Sequence, residues 1–171
     1  MKMRILLMCF LSCLLGLGSV SCSDYNGDAI WDIFPFSIYI EVTNEQGEDL
    51  LNPDSENSIA DNGIKAIYEG VTYEKDSCVA MCEADTRAIL VIFRGLQTYK
   101  RPDGRYVLTF GEFQGERDYD LTDIIIDWND GSKDVVSFRH SFKWKRNEPH
   151  QTTDIYLNGK KIDGFTVHIV K

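Results

Sequence analysis

Asp134-Val135-Val136-Ser137-Phe138-Arg139-His140-Ser141-Phe142-Lys143-Trp144-Lys145-Arg146 is the stretch that decides the fold. Val136, Phe138, His140, Phe142 and Trp144 fall on one side of an extended chain, and Ser137, Arg139, Ser141, Lys143 and Lys145 on the other. Successive side chains of a strand point to opposite faces, so this period of two means one covered face and one wet face. Trp144 is thereby expected in the core. His140 stands among aromatic residues, which suits a core imidazole with satisfied hydrogen bonds better than a catalyst. The basic stripe of Arg139, Lys143 and Lys145 has two readings. It can blunt an edge strand against pairing with other chains, or it can receive an anionic ligand; the first is the simpler.

The same alternation recurs on both sides of this stretch. Upstream, Leu121–Trp128 places Ile124, Ile126 and Trp128 on one face, and Asp127–Ser132 supplies an Asp-Gly turn. Arg105–Phe113 alternates through Tyr106, Leu108 and Phe110, after a turn at Arg101-Pro102-Asp103-Gly104. The continuous apolar run Ala88–Phe93, within 86–99, reads as a central strand buried on both faces. Ile64–Glu74 is a hairpin about Glu69-Gly70, and Phe36, Ile38, Ile40 and Val42 alternate in an opening strand. Glu48–Gly63 is a polar surface loop held by Leu50-Leu51; its acids lack the spacing of a calcium-binding EF-hand loop. Downstream, Asn147–Thr152 reads as a polar loop, Asn158-Gly159 as a tight hairpin turn, and Phe165, Val167 and Ile169 as the covered face of a closing strand.

About nine short strands with turns between them and no long helix predict an all-β fold. The expected architecture is an antiparallel β-sandwich, immunoglobulin-like but without the Cys…Trp…Cys hallmark, with a β-barrel as runner-up. One such domain is expected over 31–171.

The N-terminus carries an address. Lys2 and Arg4 precede an apolar run over Ile5–Gly18, and small residues lead to Cys22. That order is a signal peptide over 1–21; the run is too short for a membrane span. With Val20 and Ser21 before Cys22, the segment resembles a bacterial lipoprotein signal, which implies that Cys22 becomes the lipidated first residue and that the membrane is a partner through this anchor. Residues 22–30, with Asp24 and Asp28, resemble the acidic tether of Bacteroidetes-type surface lipoproteins. The signal, the tether and the strand-rich body together resemble that family. The resemblance implies an outer-membrane lipoprotein of the cell envelope, displayed at the cell surface, and no defined activity. Asp127–Ser132 is also similar, over six residues, to the Asp-Gly hairpin of polycystic-kidney-disease-type domains, and nothing functional is carried over from it.

Charge narrows the partners. Without Lys2 and Arg4 the formal charge moves from −9 to −11; residues 133–171 contribute +4 and 22–132 the remaining −15. A net acidic chain argues against nucleic acid as a partner. The two halves are expected to neutralise each other once folded, although the basic half could meet an anionic partner. Cys78 and Cys82 are an even pair in an oxidising compartment, and their spacing leaves open a local disulfide or two half-buried thiols. No second cysteine pair and no histidine spacing suggests a metal site, and no cofactor is expected.

The sequence holds no Gly-x-Ser-x-Gly, His-Glu-x-x-His or phosphate-cradling glycine loop. The expected role is therefore non-catalytic binding of a ligand or protein partner at the cell surface, glycan-related if tryptophans act as stacking platforms. Trp128 and Trp144 are expected in the core, which leaves Trp31 as the ligand candidate beside Arg139, Lys143 and Lys145. The alternatives are a structural subunit of a fimbrial or outer-membrane complex and, last, a glycosidase-type hydrolase.

Overall fold

The structure is a computed structural model that describes residues 31–77 and 93–171. The chain divides after Trp31, and every described strand belongs to Asp32–Lys171. The strands are β1 (Phe36–Thr43), β2 (Lys65–Tyr68), β3 (Val71–Glu74), β4 (Leu96–Lys100), β5 (Tyr106–Phe113), β6 (Tyr119–Asp127), β7 (Lys133–Lys145), β8 (Glu148–Leu157), β9 (Lys160–Lys161) and β10 (Thr166–Val170). They form a four-stranded sheet in the order β10-β1-β5-β4 and a six-stranded sheet in the order β3-β2-β6-β7-β8-β9. The fold is all-β, built as two sheets around one core.

Alternation puts the core where the two sheets face each other. Ile38, Ile40, Leu108 and Phe110 of the first sheet and Ala66, Ile124, Ile126, Val136 and Phe138 of the second are fully buried. The layers meet through rings: Phe138 lies 4.6 Å from Phe113 and 5.7 Å from Phe36. Burying each of these side chains contributes about 1.5–3 kcal/mol, which is what holds one sheet on the other. Leu50 and Leu51 are buried, so the loop after β1 is anchored by that dipeptide.

Local chemistry sets the register. Glu69-Gly70 and Asn158-Gly159 both carry positive φ at their two central positions, the turn whose twist matches a hairpin. A bulge interrupts β1 and β5, where Phe36 faces Phe113 but Ser37 faces Gly111. The extra residue swings the Phe113 ring back over Gly111, and a Cβ there would stand 2.5 Å from that ring. Only glycine fits, and Phe113 thereby reaches the core.

Three expectations change, and a fourth falls largely outside the described residues. Pairing is antiparallel except between β1 and β10, which run parallel, so the first and last strands close the four-stranded sheet. The apolar run Ala88–Phe93 lies outside the described residues apart from Phe93, and the strand that follows, β4, sits at a sheet edge. The polar loop expected at Asn147–Thr152 is a strand instead. Arg146 and Asn147 take left-handed φ of 51° and 63°, so β7 turns straight into β8 and polar residues pair in register from Lys145↔Glu148 to Ser141↔Thr152. Finally, β7 is interior as far as His140, where its pairing with β6 ends. Only its last residues have an open side, so edge protection fits Lys143 and Lys145 but not Arg139.

Candidate functional site

The outward face of the four-stranded sheet carries the candidate site. Register aligns Tyr39 with Thr166 and Thr109, Glu41 with His168, and Tyr99 with Val107. All of these side chains point away from the core. Val107 is nonetheless only 1 % exposed, because neighbouring side chains cover it. It floors a cradle of about 330 Å³ walled by Tyr39, Tyr99, Phe165, Arg101 and Pro102. The three rings are 41 %, 51 % and 65 % exposed, an unusual concentration of solvent-facing aromatic surface on one sheet. Next to it, and sharing Tyr39 and Tyr99, runs a polar groove of about 410 Å³ lined by Ser37, Gln97 and Thr109 among others.

A buried charge fixes one wall. Glu41 is 6 % exposed despite its outward register. One carboxylate oxygen accepts a hydrogen bond from Arg101 Nη1, and the other lies 3.1 Å from His168 Nδ1 and 3.9 Å from Arg105 Nη1. Arg101 and Arg105 flank the Pro102-Asp103-Gly104 turn, closed by the Arg101 N–H donating to the Arg105 carbonyl at 2.8 Å. A carboxylate this deep costs several kcal/mol to desolvate unless paired, so it draws the guanidinium inward and sets the rim of the cradle. Sequence reading places Glu41 on a solvated face and misses this cluster. The pairing depends on β10 lying parallel beside β1, which no local pattern announces.

The residues singled out from sequence scatter. Trp31 is 41 % exposed. Arg139, Lys143 and Lys145 lie on the outer face of the six-stranded sheet, the opposite layer from the cradle. Trp128 is fully buried as expected; its Nε1–H donates to Asp134 Oδ2 at 2.8 Å, and Lys171 Nζ sits 5.0 Å from its ring centroid. Trp144 is not in the core: it is 55 % exposed, because β7 outruns the opposing sheet. His140 is the satisfied core imidazole expected. It is 1 % exposed, stacks on Phe36 at 4.3 Å, and places Nε2 3.0 Å from the Gly115 carbonyl and Nδ1 2.7 Å from Thr153 Oγ1. The carbonyl only accepts, so Nε2 carries a proton. Cys22, Cys78 and Cys82 lie outside the described residues.

The chemistry of this face is that of recognition. Flat rings offer apolar contact to C–H surfaces, while Gln97, Thr109, the tyrosine hydroxyls and Arg101 offer hydrogen bonds at the margin. Among the described residues no group of three or more His, Cys, Asp or Glu side chains converges as a metal-ligand set. In comparisons with known proteins, no family model, curated protein or solved structure matches this chain.

Proposed function

We infer that the protein is a lipid-anchored envelope protein that binds a carbohydrate without turning it over, and that the cradle of Tyr39, Tyr99 and Phe165 is its binding face. The observation that carries this reading is the set of three exposed rings around the Val107 floor, beside a hydrogen-bonding groove. A sugar ring has an apolar C–H face and a hydroxyl rim, and the two depressions offer a surface for each. Their volumes lie at the lower end of the range for small-molecule sites. The anchor is the Cys22 lipid, which would hold the domain outside the cytoplasm.

A glycan array probed with the full chain tests the ligand class, followed by calorimetry on any hit. Tyr99→Ala should weaken binding by about 2–10-fold, the worth of one ring contact. An empty array, or affinity untouched by Tyr39→Ala and Tyr99→Ala together, removes the reading. Incorporation of a palmitate analogue that is lost in Cys22→Ala tests the anchor.

A further inference from the structure

We propose that the tip of the β7–β8 hairpin docks into an anionic phospholipid headgroup layer. Among the described residues β7 pairs beyond His140 with no strand but β8, so Ser141–Lys145 and Glu148–Thr152 form a two-stranded arm that continues past the six-stranded sheet, tied at its base by Asp118 to the Phe142 N–H. Its two faces differ. One carries Trp144 opposite Pro149 and Phe142 opposite Gln151; the indole is 55 % exposed and meets the Phe142 ring edge-on at 5.6 Å. The other carries Lys143 opposite His150 and Lys145 opposite Glu148, with Arg139 at its base and Arg146 in the turn.

Charge selects the partner. The protein has a net charge of −9, and among the described residues eight Lys and Arg side chains are matched by carboxylates. Among the described residues, Arg139, Lys143, Lys145 and Arg146 form no ion pair, and neither do Lys100, Arg117 and Lys160 elsewhere, of which Lys100 and Arg117 sit over the Tyr106 and Tyr119 rings; Lys65, Lys75, Lys133, Lys161 and Lys171 are all paired. The acids near the arm cancel these four charges only in part, because Glu148 and Asp118 each contribute one negative charge while Asp154 is matched elsewhere. Glu148 makes no ion pair, Asp118 Oδ1 accepts the Phe142 N–H at 2.8 Å, and Asp154, across from Arg139, binds Lys161 at 2.7 Å. Four of the seven unpaired Lys and Arg among the described residues thus lie on one projecting element of an acidic protein and leave it net positive, which fits an anionic surface.

Geometry selects a lipid layer over a linear polyanion. A polyanion lying along the lysine face would leave Trp144 and Pro149 unused on the opposite side. A headgroup layer surrounds the inserted tip and engages both faces: the indole at the interface, the ammonium groups at the phosphates on flexible stems. Four residues of strand reach about 13 Å, enough to cross a headgroup region of roughly 5–8 Å. This inference stands on different residues from the carbohydrate reading and does not depend on it.

The test uses the full-length chain in a Trp31→Phe background, where Trp144 is the exposed indole and Trp128 a buried constant. The protein is reconstituted into vesicles of phosphatidylcholine alone or mixed equally with phosphatidylglycerol, each with brominated acyl chains. Trp144 emission should shift to the blue and be quenched in the anionic vesicles only, and 0.5 M salt should reverse it. Lys143→Gln with Lys145→Gln should weaken this docking about 30-fold, while Tyr39→Ala should leave it intact. Emission unchanged in anionic vesicles, or quenched equally in both, overturns the proposal. So does a Trp144 shift produced by heparin in solution but not by vesicles, which would assign the arm to a soluble polyanion.

Discussion

The two halves of β7 carry the same sequence pattern and meet opposite fates. Val136, Phe138 and His140 are buried, while Phe142 is half-buried and Trp144 is exposed, although all five share one face of one strand. The difference lies across the gap. Phe36 and Phe113 stand opposite the first half, and no strand of the four-stranded sheet stands opposite the second. A period of two therefore specifies which side chains share a face. Whether that face is covered depends on the length of the other layer.

Substitutions along this one face would sharpen the contrast. The largest effect is expected from Phe138→Ala, which should lower unfolding free energy by about 3–5 kcal/mol in urea titrations, since the surrounding rings cannot collapse into the space. His140→Leu comes next, at about 1–3 kcal/mol, because it keeps the apolar contact with Phe36 but leaves the Gly115 carbonyl and the Thr153 hydroxyl without their partner. A loss well under 1 kcal/mol would mean that water replaces the imidazole and that this end of the core is less closed than its burial implies.

A third, smaller effect compares the ends of β7 rather than its halves. The turn before it is rich in matched charge. Hydrogen bonds from Lys171 and Ser132 hold the Asp130 carboxyl well below its ordinary value of 3.8, and a hydrogen bond from Lys133 lowers Asp127 likewise. Folding thus favours the charged carboxylates. Their contribution is present above pH 3.8 and is lost as pH falls below it toward the depressed folded values. Asp130→Asn should accordingly be less stable than the parent at pH 6, with the gap closing in strong acid; a gap independent of pH would sink this account. The smallest effect is expected from Trp144→Ala, within about 0.5 kcal/mol of the parent. A loss of several kcal/mol would place Trp144 with the inner half after all and erase the distinction.

Much of this architecture was legible in the residues. Ile124, Ile126 and Trp128 share the buried face that their spacing implies, and Asn158-Gly159 turns where its chemistry requires. The candidate site was far less so. Tyr39, Tyr99 and Phe165 are separated by tens of residues and meet only because β10, β1, β5 and β4 lie side by side in one sheet. Glu41 looks like any outward-facing acid until Arg101 and Arg105 arrive from one turn and His168 from the last strand. The arm was obscured for a local reason: Glu148–Thr152 is too polar to read as a strand, and cross-strand pairing with β7 supplies what propensity lacks.

The parallel pairing of β1 with β10 gives the domain a mechanical character. The start of β1 and the end of β10 lie at opposite ends of the pair, with Tyr39↔Thr166 through Thr43↔Val170 in register between them. Tension applied across those two points would slide one strand along the other and strain all these rungs together. A hairpin pulled from its open end gives way one rung at a time. A domain held at one end in flowing fluid would resist drag best when loaded along this seam.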